Sequence, residues 1–116
     1  MNLKLLVALV SDDKTEAVLN AARRAGATGA TVITACRGEG LQPGKTFLGL
    51  ELTAQRDVVF FLVVEPKARE ILETIAAAGQ FDDEPGAGIA FQIGIEDAVG
   101  LRTQTEALLR EIEAEI

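Results

Sequence analysis

The sequence predicts an α+β fold, a four-stranded antiparallel sheet with two helices on one of its faces in the order βαββαβ. Three observations lead there: a strand-helix-strand pattern that occurs twice, two helices that both run out in an Ala-Gly step, and a length of 116 residues that allows one domain. The pattern is that of the split βαβ, or ferredoxin-like, plan. Leu3 to Val10 is β-rich and almost continuously apolar, and reads as the first strand. Ser11-Asp12-Asp13 then offers capping side chains to a helix through KTEAVLNAARRAG, with Ala17, Val18, Ala21, Ala22 and Ala25 as its apolar stripe and Gly26 as its stop. Thr31 to Ala35 is the second strand.

The second half repeats the unit. DVVFFLVV is the third strand, and Glu65-Pro66 opens a helix with proline in its tolerated first turn. Ala68, Ile71, Leu72 and Ile75 form one face of that helix, Gly79 ends it, and GIAFQIGI is the fourth strand. TQTEALLREIEAEI adds a short C-terminal amphipathic helix with Leu108, Leu109 and Ile112 as its stripe.

Composition narrows the function. With 18 acidic against 11 basic residues the formal charge is −7, which repels a phosphate backbone and argues against nucleic-acid and anionic-membrane partners. The chain has no histidine and a single cysteine, Cys36, so an internal disulfide is excluded and triad or transition-metal chemistry is disfavoured. LLVALV is far shorter than the roughly 20 residues of a membrane span, and no cleavage-type site follows it; a cytoplasmic protein is expected.

LLVALV and VVFFLVV lack the alternation of strands with one wet face, and two helices cover only one side of a sheet. Either this is local variation, or sheets of neighbouring subunits cover the open face in a symmetric oligomer, the reading favoured here. Glycine gathers in three loops. CRGEGLQPGKTFLGLELTAQR is long for a connection in so small a domain, and such loops are usually functional. In QFDDEPGAGIA, the run Pro85-Gly86-Ala87-Gly88 places small residues where backbone N–H groups can form an anion nest, although a GxG alone is more often a simple turn. DAVGLRTQ places Gly100 and Arg102 after the fourth strand. The acidic run Asp82-Asp83-Glu84 reads as a solvated loop or a weak attractor for a hard cation.

GATGATVITACRGEG, PGAGIAFQI and DAVGLRTQ, in that order along nearly the whole chain, resemble the PII and PII-like signalling proteins. The resemblance implies a homotrimer of ferredoxin-like subunits with no catalytic role, adenine nucleotides in the clefts between subunits, and a long loop that docks on a regulated partner, often a membrane transporter. On that pattern Gly29 and Thr31 lie near the adenine, and Gly38 and Gly40 at the mouth of the loop. Gly86, Ala87, Gly88, Ile89 and Arg102 lie at the phosphates, with Arg37 within reach. Gly26 and Gly29 also have a plain turn-forming role.

Departures from the nitrogen-regulatory members set the expected ligand. Ile89 stands where those proteins carry a lysine, and Gly100 replaces the first of two arginines; Arg102 keeps the second. ADP or AMP is therefore expected to bind at least as well as ATP. Gln42 matches the glutamine that helps hold 2-oxoglutarate, but Val59 takes the place of the lysine that pairs with it, which argues against that effector. The chain contains no tyrosine, so tyrosine uridylylation is excluded. Lys45, Thr46 and Phe47 begin a KTFLGL segment like the loop of PII-like members. Phe47 either anchors a partner or folds onto its own trimer. Two alternatives share the fold. An acylphosphatase-type enzyme would need a placed asparagine, and the only asparagines are Asn2 and Asn20; a metal-tolerance trimer of the CutA kind would have only Cys36 as a soft ligand.

Overall fold

Alternating burial along two apolar strands organises the molecule. The computed structural model describes residues 2–37 and 55–102. Their order is β1 (Leu3–Ser11), α1 (Thr15–Ala25), β2 (Thr31–Arg37), β3 (Gln55–Val64), α2 (Glu65–Ala78) and β4 (Gly88–Gly94). All neighbours are antiparallel, in the spatial order β2-β3-β1-β4, as expected for the split βαβ plan. The C-terminal helix expected over 103–116 lies outside the described residues.

The core lies between the helices and one face of the sheet. Leu6, Ala8 and Val10 of β1 and Val59, Phe61 and Val63 of β3 pack there against Val18 and Ala22 of α1 and Ala68, Ile71 and Ile75 of α2. The alternate residues form the other face. Register aligns Thr31, Phe60, Val7 and Phe91 in one row across the sheet and Ile33, Val58, Leu9 and Ile89 in the next; Leu62, Leu5 and Ile93 continue the face. Nothing in the described chain covers this side at its edges: Ile33 and Ile93 are each 48% exposed and Phe91 39%.

The helix ends depart from the sequence reading in instructive ways. No side chain caps α1; Lys14 stands at its N-cap, while the Ser11 hydroxyl donates to Asp13 instead. Ala17 is exposed, and its place in the buried stripe is taken by Thr15. Gly26 does end α1 in the left-handed conformation (φ 114°), with Gly26 N–H donating to the Arg23 carbonyl and Ala27 N–H to that of Ala22, a Schellman closure. In α2 the same closure shifts by one residue. Gln80, not Gly79, is left-handed (φ 59°), and Phe81 N–H reaches the Ala76 carbonyl. Gly79 serves packing instead, because a Cβ there would lie 2.3 Å from the Phe81 ring; the same ring presses on Gly88.

Asp57 is the buried polar centre of the fold. It begins the helix-facing series of β3, opposite Val10, and its two carboxylate oxygens have different partners. Oδ2 accepts the Thr15 hydroxyl at 2.6 Å and Oδ1 the Ala35 N–H at 3.4 Å. The second bond answers a break in the β2–β3 ladder. Register shifts between Ile33 and Cys36, and the bulged Ala35 takes a left-handed φ of 59°, so its N–H is offered to a carboxylate. One side chain thus ties the start of α1 and the end of β2 to β3. Asp57→Ala would leave two donors without their acceptor, so urea unfolding is expected to show a loss of about 2–4 kcal/mol; a change under about 0.5 kcal/mol would mean the bulge is held by other forces.

Candidate functional site

The residues predicted to bind a ligand gather at two separate ends of the open sheet face. At one end, the segment between α1 and β2 borders two cavities. The larger, about 420 Å³, lies toward α1 and is lined by Leu19, Arg23, Thr28, Gly29, Val32 and Phe61 among others. The other, about 310 Å³, opens on the uncovered face, between Gly29, Thr31, Leu5, Phe60, Leu62 and Leu101. Leu5, Phe60, Leu62 and Leu101 give it apolar walls and Thr28 and Thr31 polar ones, a mixed lining of the kind that suits a ring with polar edges. Gly29 leaves it open: a Cβ there would meet nothing within 4 Å, so no packing demand explains the glycine. Arg102 is exposed and follows Leu101, which packs near Leu3 and Val64.

The other end holds the glycine turn before β4. Gly86 adopts a φ of 78°, the Ala87 carbonyl accepts the Ser11 N–H, and the Ala87 N–H donates to the Glu84 carbonyl. The expected nest therefore already spends one of its donors on its own turn. Gly88 answers a steric demand, since a Cβ would lie 2.5 Å from the Phe81 ring and 2.8 Å from the Leu9 carbonyl oxygen. Ile89 borders a cavity of about 230 Å³ beside α2. Arg37 is exposed at the end of β2. Gly38, Gly40, Gln42, Lys45, Thr46 and Phe47 lie outside the described residues.

Thr31 stands on edge strand β2 and the glycine turn leads into the opposite edge strand β4, three strand spacings or roughly 14 Å across the sheet. Gly29, Thr31 and Arg102 on one side and Gly86, Ala87, Gly88 and Ile89 on the other therefore do not meet within one chain. Val59, read as standing where a ligand-pairing lysine would be, is fully buried against the helices and faces no ligand.

Sequence reasoning missed Arg56 and the polar cluster around it. A cavity of about 190 Å³ beside the glycine turn is lined by Ser11, Asp13, Lys14, Arg56, Glu84 and Gly86 among others. Arg56 is only 4% exposed. Lys14 bridges Glu84 at 2.8 Å and also donates to Gln80, so the acidic run is partly tied down. The only available signal was a charged Gln-Arg-Asp start to an otherwise apolar strand, and nothing in that spacing distinguishes a buried arginine from a solvated one. Among the described residues no group of three His, Cys, Asp or Glu gathers to hold a metal, and no helix is long and apolar enough to cross a membrane.

With fold and cavities in place, comparison with known proteins defines the class. The family model of the nitrogen regulatory protein P-II matches residues 3–105, and the chain belongs to that family. Among solved structures, it is similar to a PII-like signalling protein from Thermus thermophilus, with a TM-score of 0.60 and 22% identity over 82% of this chain and 88% of that one. At that identity the likeness speaks for the shared fold. No curated protein matches the chain.

The Ser11 hydroxyl holds the Asp13 carboxyl below its usual range, opposed by some desolvation and helped by a backbone bond, Lys14 and Arg56. A depressed carboxyl favours the fold above the unfolded value and loses that contribution as pH falls through the lower folded one. Ser11→Ala is expected to move the Asp13 titration, followed by carboxyl-carbon NMR, back up toward the ordinary aspartate range. An unmoved titration would assign the shift to the neighbouring cations.

Proposed function

We propose that this chain is a cytoplasmic PII-like signalling module: a homotrimer that binds an adenine nucleotide between subunits and regulates a partner, a membrane transporter, through the loop after β2. The observation that carries this reading is the division of the predicted site between two ends of one uncovered apolar face. A face holding Phe60, Val7, Phe91, Ile33 and Ile93 suits burial against copies of itself, in closed symmetry. Such an assembly can bring the Thr31 end of one subunit to the glycine-turn end of the next, so that two half-sites form one cleft.

In this cleft Gly29 and Thr31 take the base, and Gly86, Ala87, Gly88, Ile89 and Arg102 lie toward the phosphates, with Arg37, Gly38 and Gly40 at the mouth of the loop. Occupancy changes the loop only through unequal affinity for its docked and undocked shapes, a coupling of about 1–3 kcal/mol. Gln42, Lys45, Thr46 and Phe47 then read that change out to the partner. The role is binding, with no catalytic residue assigned.

Light scattering is expected to give the mass of three chains, and Phe60→Glu, which places a charge in the middle of the face, is expected to dissociate them. Calorimetry with AMP, ADP and ATP is expected to show binding to the trimer, with ADP or AMP at least equal to ATP. Arg102→Ala should weaken the phosphorylated ligands by about tenfold, the ~1.4 kcal/mol scale of a charge-assisted bond. A monomeric wild type, or a trimer silent to all three nucleotides, defeats the proposal.

A further inference from the structure

We propose that the cavity beside the glycine turn is a subsite for one small oxyanion, anchored by Arg56. Arginine is almost never buried without a partner, because desolvating a guanidinium is costly unless an anion or several acceptors replace water. Arg56 is only 4% exposed and its Nε has no hydrogen-bond partner; among the described residues no carboxylate lies within ion-pair distance of it, Asp13 acting on it only from further off. The acidic residues that share the cavity are otherwise engaged: Glu84 with Lys14 at 2.8 Å, and Asp13 with the Ser11 hydroxyl. A buried cation is left lining a polar cavity with no anion bonded to it.

Size and surroundings select the ligand. About 190 Å³ is enough for a tetrahedral or planar oxyanion and a few waters. It falls below the roughly 300 Å³ at which small-molecule pockets begin, which favours a small ion over a whole nucleoside. Arg56 offers a planar fork of donors that suits two oxygens of one ion, and the Lys14 ammonium stands at the same cavity. The nearby carboxylates of Asp13 and Glu84 limit the charge the site tolerates, which favours a singly charged or partly protonated ion over a polyphosphate.

The oxyanion has two possible sources, a free ion from solution or the phosphoryl end of a nucleotide seated in the cleft proposed above. Only the second depends on the nucleotide reading. Calorimetry on the full chain with inorganic phosphate, AMP and adenosine separates them, using wild type, Arg56→Gln and Glu84→Gln. Wild type is expected to bind phosphate. Arg56→Gln should weaken it at least about tenfold, whereas Glu84→Gln, which releases Lys14 from its partner, should tighten it about threefold. Because the second variant moves binding upward, loss of folding cannot imitate it. If AMP displaces phosphate and adenosine does not, the site holds the phosphoryl end; if phosphate binds equally with AMP present, it holds a free ion. Phosphate binding without any nucleotide binding would uphold the subsite while defeating the cleft. Absence of phosphate binding in wild type together with equal affinity for AMP and adenosine overturns the inference, as does phosphate binding that neither variant alters.

Discussion

Two-sided apolarity of β1 and β3 is the constraint on which the rest of the molecule depends. A strand alternates its side chains between faces, so Leu6, Ala8 and Val10 can be buried by helices while Leu5, Val7 and Leu9 cannot. The chain has two described helices and both lie on the same side, as right-handed strand-helix-strand units demand. Uncovered hydrophobic surface thus follows from the topology itself. It is also the surface along which the candidate binding residues are set out, at one end around Thr31 and at the other around Gly86.

Much of this was legible in the sequence. Period and glycine placement found every described helix and strand within a few residues, and the unbroken apolar runs at LLVALV and VVFFLVV announced a sheet that its own helices could not cover. The failures are local and physical. Ser11-Asp12-Asp13 has the composition of a helix cap, yet Ser11 still belongs to β1, paired with Arg56, and its hydroxyl turns to Asp13. Gly79 has the composition of a left-handed stop, but the Phe81 ring requires a glycine there for space, and the left-handed turn falls on Gln80. Residue type alone does not tell a glycine chosen for φ from one chosen for clearance.

The polar groups were the least legible part. Thr15, Arg56 and Asp57 are ordinary surface residues by type, and only the fold brings them inside. Thr15 is separated from Asp57 by 42 positions and Ala35 by 22, so no local pattern announces that they share one carboxylate. Arg56 escaped notice for the same reason: the turn that borders its cavity is about 30 residues further along the chain, brought there by the register that places β4 beside β1.

Adjacent positions in β3 explain why an arginine and an aspartate can be neighbours without forming a pair. Successive side chains point to opposite faces, so Asp57 turns toward α1 while Arg56 lies on the other side of the strand, opposite Ser11. The carboxylate is engaged by Thr15 and Ala35, and in that role it fixes the bulge near the end of β2. The guanidinium has no part in that duty. Asp57 holds the bulged Ala35 by a single bond of 3.4 Å, and beyond it Cys36 and Arg37 pair again with Arg56 and Gln55. A long bond of this kind is easily strengthened or lost. The end of β2 is therefore held jointly, at the bulge by one buried carboxylate and beyond it by the resumed ladder.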